Sequence, residues 1–203
     1  MSYKTKQEEF WASEFGNDYI GRNQIHLANI PLFSKIISRT SNVESIIEFG
    51  PNTGLNLMAL HDFFPKCKLT GVEINVQACN YLREWGKCTV VNESIFDYSD
   101  IQKYDLSMTK GVLIHIDPDM LNVAYEKLYE SSNRYILVAE YYNRTPVSIK
   151  YRGHDDRLFK RDFAGEILDK YPDVKLLDYG FVYHRDNNFP KDDLSWFLLE
   201  KKS

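Results

Sequence analysis

The sequence predicts one open α/β domain: a mostly parallel seven-stranded sheet with a C-terminal antiparallel hairpin and an N-terminal helical cap. Three observations predict it. Between Ser45 and Tyr141, short apolar runs alternate with helix-period segments, the rhythm of right-handed βαβ units and a parallel sheet. Val174–Arg185 and Leu194–Lys202 then read as two long strands with no room for a helix between them, so they pair antiparallel at the sheet edge. Finally, the turn Gly50-Pro51-Asn52-Thr53-Gly54 follows the first strand and Glu73 ends the second. That separation of about 20 residues is what one crossover produces.

In chain order, Lys6 to Arg39 is mainly helical. Phe10, Trp11, Phe15 and Tyr19 recur about once per turn, and Ile30, Phe33, Ile36 and Ile37 continue an apolar face. Gly16, Gly21 and Pro31 divide this stretch into two or three short helices. Strands follow at Ser45–Phe49, Lys68–Glu73, Thr89–Asn92, Tyr104–Thr109 and Arg134–Tyr141. Helices fall at Leu55–Phe63, Val76–Trp85, Asp119–Glu130 and Arg161–Tyr171. Asp117-Pro118-Asp119 carries an N-cap signal with proline early in the helix. Asn143 to Arg161 reads as a polar, turn-rich loop. At 203 residues the chain makes one domain, with residues 1–40 as cap and 45–203 as core.

Composition narrows the function classes. The formal net charge is -4 and no long Lys/Arg tract occurs, which argues against a nucleic-acid partner but leaves small phosphorylated ligands open. No apolar run approaches the roughly 20 residues that span a bilayer. Met1-Ser2-Tyr3-Lys4-Thr5-Lys6 opens no apolar signal region. Cys67, Cys79 and Cys88 lack CxxC spacing, so a metal site is not expected and reduced thiols in a cytoplasmic protein are. The oligomeric state is left open.

The turn and its acid carry the first chemical reading. Gly50 and Gly54 allow a sharp backbone turn and close ligand approach. Glu73, at a strand end, can accept from both hydroxyls of a ribose; the bland alternative is a solvated carboxylate. Glu48, Gly50 and Gly54, then Glu73, then Tyr104-Asp105-Leu106 leading to Val112-Leu113-Ile114-His115, together resemble the class I S-adenosylmethionine-dependent methyltransferases. Asn52 stands where that family has its middle glycine. The chain also resembles a narrower group, the methyltransferases associated with pseudaminic acid biosynthesis. That resemblance lies in Phe10-Trp11-Ala12-Ser13-Glu14-Phe15-Gly16, Thr109-Lys110-Gly111-Val112-Leu113-Ile114-His115, Ala139-Glu140-Tyr141-Tyr142-Asn143, Tyr151-Arg152-Gly153-His154-Asp155-Asp156-Arg157 and Tyr183-His184-Arg185-Asp186.

The resemblance implies S-adenosylmethionine as cofactor and a Rossmann-like fold. Gly50, Pro51 and Asn52 would border the methionine part, and Glu48 would steady loop and ammonium indirectly or simply anchor the loop. Ser94 and Ile95 would meet adenine, and the Thr109 and Lys110 carbonyls would accept from the ammonium. Tyr19 and Arg22 sit in the cap, where a guanidinium fork suits a carboxylate. His115 would pack beside the cofactor or serve as base for a hydroxyl acceptor. The aromatic and charged residues Tyr141, Tyr151, Arg152, His154 and Arg157 follow the fifth strand, where open α/β sheets bind ligands. They suit a sugar acid or nucleotide-linked sugar; the bland alternative is a solvated charge run. The implied reaction is methyl transfer to oxygen or nitrogen of such a small molecule, with another metabolite or a modified nucleotide as alternative acceptors. A non-catalytic cofactor-binding protein of a sugar pathway is the reading from a different class.

Overall fold

A computed structural model describes residues 3–21, 25–100 and 102–202. Strands β1 (Ser45–Phe49), β2 (Lys68–Val72), β3 (Thr89–Val91), β4 (Tyr104–Lys110) and β5 (Ser132–Glu140) precede the hairpin β6 (Val147–Tyr151) and β7 (His154–Lys160). Strands β8 (Val174–Val182) and β9 (Leu194–Lys201) close the chain. The main sheet has the order β3-β2-β1-β4-β5-β9-β8. Its first five strands are parallel, while β9 runs antiparallel to both β5 and β8. The predicted C-terminal hairpin is there, with β9 inside the sheet and β8 at its edge.

Strand residues alternate between two cores, as the two-residue pleat period requires. Ile47, Phe49, Ile136 and Val138 face the core completed by α6 (Leu121–Glu130) and α7 (Phe163–Lys170). Ile46, Leu106, Met108 and Leu137 face the other, under α3 (Ile30–Ile37), α4 (Leu55–Phe63) and α5 (Val76–Trp85). Both faces of the sheet are thus covered, as parallel sheets need.

The cap begins with α1 (Lys6–Ala12) and α2 (Glu14–Ile20). A capping box starts α1: Thr5 accepts from the Glu8 N–H, and Glu8 accepts from the Thr5 N–H. Asn75 caps α5 by accepting from the Ala78 N–H, and Gly86, at φ +68°, ends it.

One predicted segment differs. Asn143 to Arg161 is not a loop: β6 and β7 form a separate antiparallel hairpin. Arg152 and Gly153 both have positive φ at its turn, as a tight hairpin matching strand twist requires. The sequence hid it because β6 is exposed on both faces, so the apolar–polar alternation that betrays a strand is missing.

Candidate functional site

The register of β1 against its two neighbours builds the site. Phe49 pairs with Val72 on one side and Thr109 on the other, so the next row places Gly50 between Glu73 and Lys110. This row lies beyond the carboxyl ends of the central strands, where α/β sheets open a crevice. A cavity of about 520 Å³ occupies it, a size typical of small-molecule sites. Gly50 has φ +71°, and a Cβ there would lie 2.6 Å from Val112 Cγ2. No other residue type fits that turn without strain.

Glu73 is 6% exposed and lines the cavity. One carboxylate oxygen accepts from the Asn52 N–H at 2.8 Å and the other from the Asn75 N–H at 2.8 Å. Burial raises its pKa, while these two bonds and one from the Ile74 N–H oppose the rise. The carboxylate is therefore fixed by loops on both sides, with lone pairs left for a ligand. Asn75 reaches further: its Nδ2 donates to the Trp11 carbonyl and to Asn17 Oδ1. The strand-end loop beside Glu73 is thereby tied to the cap.

Of the predicted residues, Tyr19, Gly50, Asn52, Glu73, Ser94, Ile95, Lys110, His115, Tyr141 and Tyr151 line the cavity. Glu48 lies beneath it, fully buried. Its Oε1 accepts from Asn56 Nδ2 at 2.6 Å, while no hydrogen bond reaches Oε2 among the described residues. The bond extends outward: Asn29 Nδ2 donates to Asn56 Oδ1 at 2.9 Å, and Lys191 Nζ donates to Asn29 Oδ1 at 2.7 Å. A polar chain thus runs from the cavity wall to the floor. Burial raises Glu48 to about 7, against the lowering from Asn56 and the Lys110 charge.

Gly54 does not itself line the cavity and packs under α5, where a Cβ would lie 2.4 Å from Leu82 Cδ2. Arg22 lies outside the described residues. Arg152, His154 and Arg157 do not line the cavity either. Hairpin pairing sets them elsewhere: the Arg152 guanidinium lies over Tyr151, His154 packs edge-on to Phe10, and the Arg157 guanidinium covers Phe10 at 5.1 Å. What Arg157 gives the site is its backbone carbonyl, 2.6 Å from His115 Nδ1.

That contact fixes the histidine. A carbonyl only accepts, so Nδ1 carries the proton and Nε2 the lone pair. The ring is 9% exposed and packs against Trp11 and Tyr151 at 4.7 and 5.0 Å. Burial lowers its pKa to about 4, so it is a neutral hydrogen-bond acceptor at physiological pH. The turn carrying it is held by Glu140, which accepts from the Val112 and Leu113 N–H groups, both at 3.1 Å.

Lys191, Asn29, Asn56, Asn75, Glu140 and Trp11 were missed as site residues by sequence reasoning. Among the described residues, no cluster of His, Cys, Asp and Glu could hold a metal ion, and no helix is long and apolar enough to cross a membrane.

No protein-family model and no curated protein sequence matches the chain. Solved structures do. The 1,6-didemethyltoxoflavin-N1-methyltransferase of Burkholderia thailandensis, with its substrate and S-adenosylhomocysteine bound, aligns at TM-score 0.71 and 12% identity, covering 97% of this chain and 87% of that one. Magnesium protoporphyrin IX methyltransferase from Synechocystis, with S-adenosylmethionine bound, aligns at TM-score 0.68 and 11% identity over the full length of both. A plantazolicin methyltransferase in complex with S-adenosylhomocysteine aligns at TM-score 0.69 and 14% identity, covering 97% of this chain and 94% of that one. These likenesses extend over nearly the whole chain, which has the Rossmann-like fold of the class I S-adenosylmethionine-dependent methyltransferases.

Proposed function

We propose that the protein is an S-adenosylmethionine-dependent methyltransferase acting on an oxygen or nitrogen of a small molecule. The observation that carries the reading is Glu73, held by two backbone N–H groups on a cavity wall beside the positive-φ turn at Gly50. A carboxylate so placed suits a vicinal diol, and the missing Cβ at Gly50 leaves room for a ligand against the backbone. Ile95 supplies an apolar wall and Ser94 a polar one for a purine. When bound, the cofactor would supply a methyl group on a sulfonium, an already activated donor.

The chain's own residues then have alignment and exclusion of water as their main tasks. Trp11 and Tyr19 from the cap, and Tyr151 from the hairpin, cover the cavity. In this reading Tyr141 and Tyr151 lie beside the acceptor, and His115 Nε2 accepts a hydrogen bond from the acceptor's O–H or N–H. With a pKa near 4, the imidazole orients that proton more than it removes it. Resemblance in the sequence favours a nonulosonic sugar of the pseudaminic type, or its nucleotide-linked form, as acceptor.

Calorimetric titration with S-adenosylmethionine and S-adenosylhomocysteine tests the reading. Glu73→Ala is expected to weaken both by about tenfold or more, since charge-assisted hydrogen bonds are worth about 1.5–3 kcal/mol. A folded wild-type protein that binds neither would remove the proposal.

A further inference from the structure

Glu73 and Lys110 flank Gly50 two strand spacings apart, about 10 Å, so the cavity has a carboxylate end and a cationic end. Lys110, from the end of β4, and Lys191, from the connection between β8 and β9, both line the wall at the cationic end. Neither forms an ion pair among the described residues. Lys191 Nζ gives one of its three donors to Asn29 Oδ1.

Burial holds both lysines below the ordinary range, and the Lys110 charge helps bring Lys191 down to about 8. Three carboxyl groups, Glu48, Glu140 and Asp192, act on the pair without ion-pairing to it among the described residues. Glu48 and Glu140 face Lys110, but burial raises each to about 7. Asp192 acts electrostatically on both lysines without pairing with either. Two cavity-lining amines close enough to act on each other, with no ion pair of their own among the described residues, are stabilised in their charged form by an anion placed between them.

We propose that Lys110 and Lys191 form a subsite for an anionic group, a carboxylate or phosphate, carried by the methyl acceptor. The inference rests on the methyltransferase reading and narrows its substrate to acidic molecules. The methionine end of the cofactor suits the pair less well. Its sulfonium and ammonium outweigh its single carboxylate, so it adds to the repulsion that an acidic acceptor cancels. The placement also differs from the one the sequence suggests, because Arg152, His154 and Arg157 do not line the cavity.

The test is calorimetry on the full chain with inorganic phosphate, alone and with S-adenosylhomocysteine saturating, comparing wild type with Lys191→Met and Lys110→Met. Circular dichroism checks the fold, and Lys191→Arg serves as the charge-retaining rescue. The expected result is phosphate binding by the wild type that falls about tenfold or more in each Met variant and returns with arginine. S-adenosylhomocysteine affinity should stay within about threefold in Lys191→Met, the scale of a remote charge change. Phosphate binding that ignores both lysines, or no phosphate binding by wild type, overturns the proposal. A tenfold loss of S-adenosylhomocysteine binding in Lys191→Met also overturns it, by assigning the pair to the cofactor's carboxylate. If wild type fails to bind S-adenosylhomocysteine, the methyltransferase reading fails separately, and the phosphate titration alone still reads the lysine pair.

Discussion

Replacing Glu48 by glutamine should make the protein's stability less dependent on pH, with a sign and size set by the buried carboxyl. Glu48 is fully buried, with one oxygen bonded to Asn56 and no hydrogen bond to the other among the described residues. Its folded pKa is about 7 against an ordinary 4.5. Between these values the folded chain holds a proton that the unfolded chain has lost, so stability falls as pH rises. The contribution is fully present below about 4.5 and lost above about 7. At about 1.4 kcal/mol per pH unit, the loss is about 3 kcal/mol. Glutamine keeps an acceptor for Asn56 and carries no titrating proton. Urea unfolding of both proteins at pH 5 and pH 8 isolates the effect, because every other titrating group is shared. The variant should gain about 2.5 kcal/mol on wild type between the two conditions, slightly less than the full loss because pH 5 already lies inside the window. An unchanged difference between the proteins at the two pH values would refute the assigned burial and charge state of Glu48.

Two further outcomes follow from the site. The C–H resonances of the His115 ring should not titrate between about pH 5.5 and 8 by proton NMR, since its depressed pKa keeps it neutral there; a midpoint near the ordinary 6.5 would contradict its burial behind Trp11 and Tyr151. Gly50→Ala should destabilise the fold by about 1–3 kcal/mol in chemical denaturation, from positive φ plus the Cβ clash with the stiff side chain of Val112, and should weaken S-adenosylhomocysteine about tenfold or more; wild-type stability and affinity together would refute the close approach at that turn.

The parts of the fold legible in the sequence were those encoded by short-range pattern. The five parallel strands carry enough apolar residues to show as runs, and the Gly50 turn with Glu73 is a local signal. Residues brought together by the tertiary fold left no such trace. Asn29 and Asn56 are 27 residues apart and meet only because α3 and α4 share a face of the sheet. Lys191 sits in an ordinary polar connection, and its position beside Lys110 follows from β9 inserting between β5 and β8. The hairpin of β6 and β7 misled for the opposite reason. Its dense charges read as a binding loop, while its pairing directs Arg157 and His154 onto the aromatic cap.

That misdirection gives the hairpin a different task in the proposed reaction. It meets the rest of the site through backbone and rings: the Asp156 carbonyl accepts from Gln7 of the cap, His154 packs on Phe10 and Phe15, Tyr151 packs on His115, and the Arg157 carbonyl fixes the tautomer of His115. The contacts to Gln7, Phe10 and Phe15 join hairpin to cap, and the Arg157 carbonyl orients the His115 imidazole on the cavity wall. Methyl transfer from a sulfonium needs a dry, aligned encounter more than a strong base, because the donor already carries its activation. A cap and hairpin joined to each other beside Glu73 and His115 meet that need. In that proposal acceptor identity is read by the groups lining the cavity, and the hairpin's arginines serve packing on Tyr151 and Phe10.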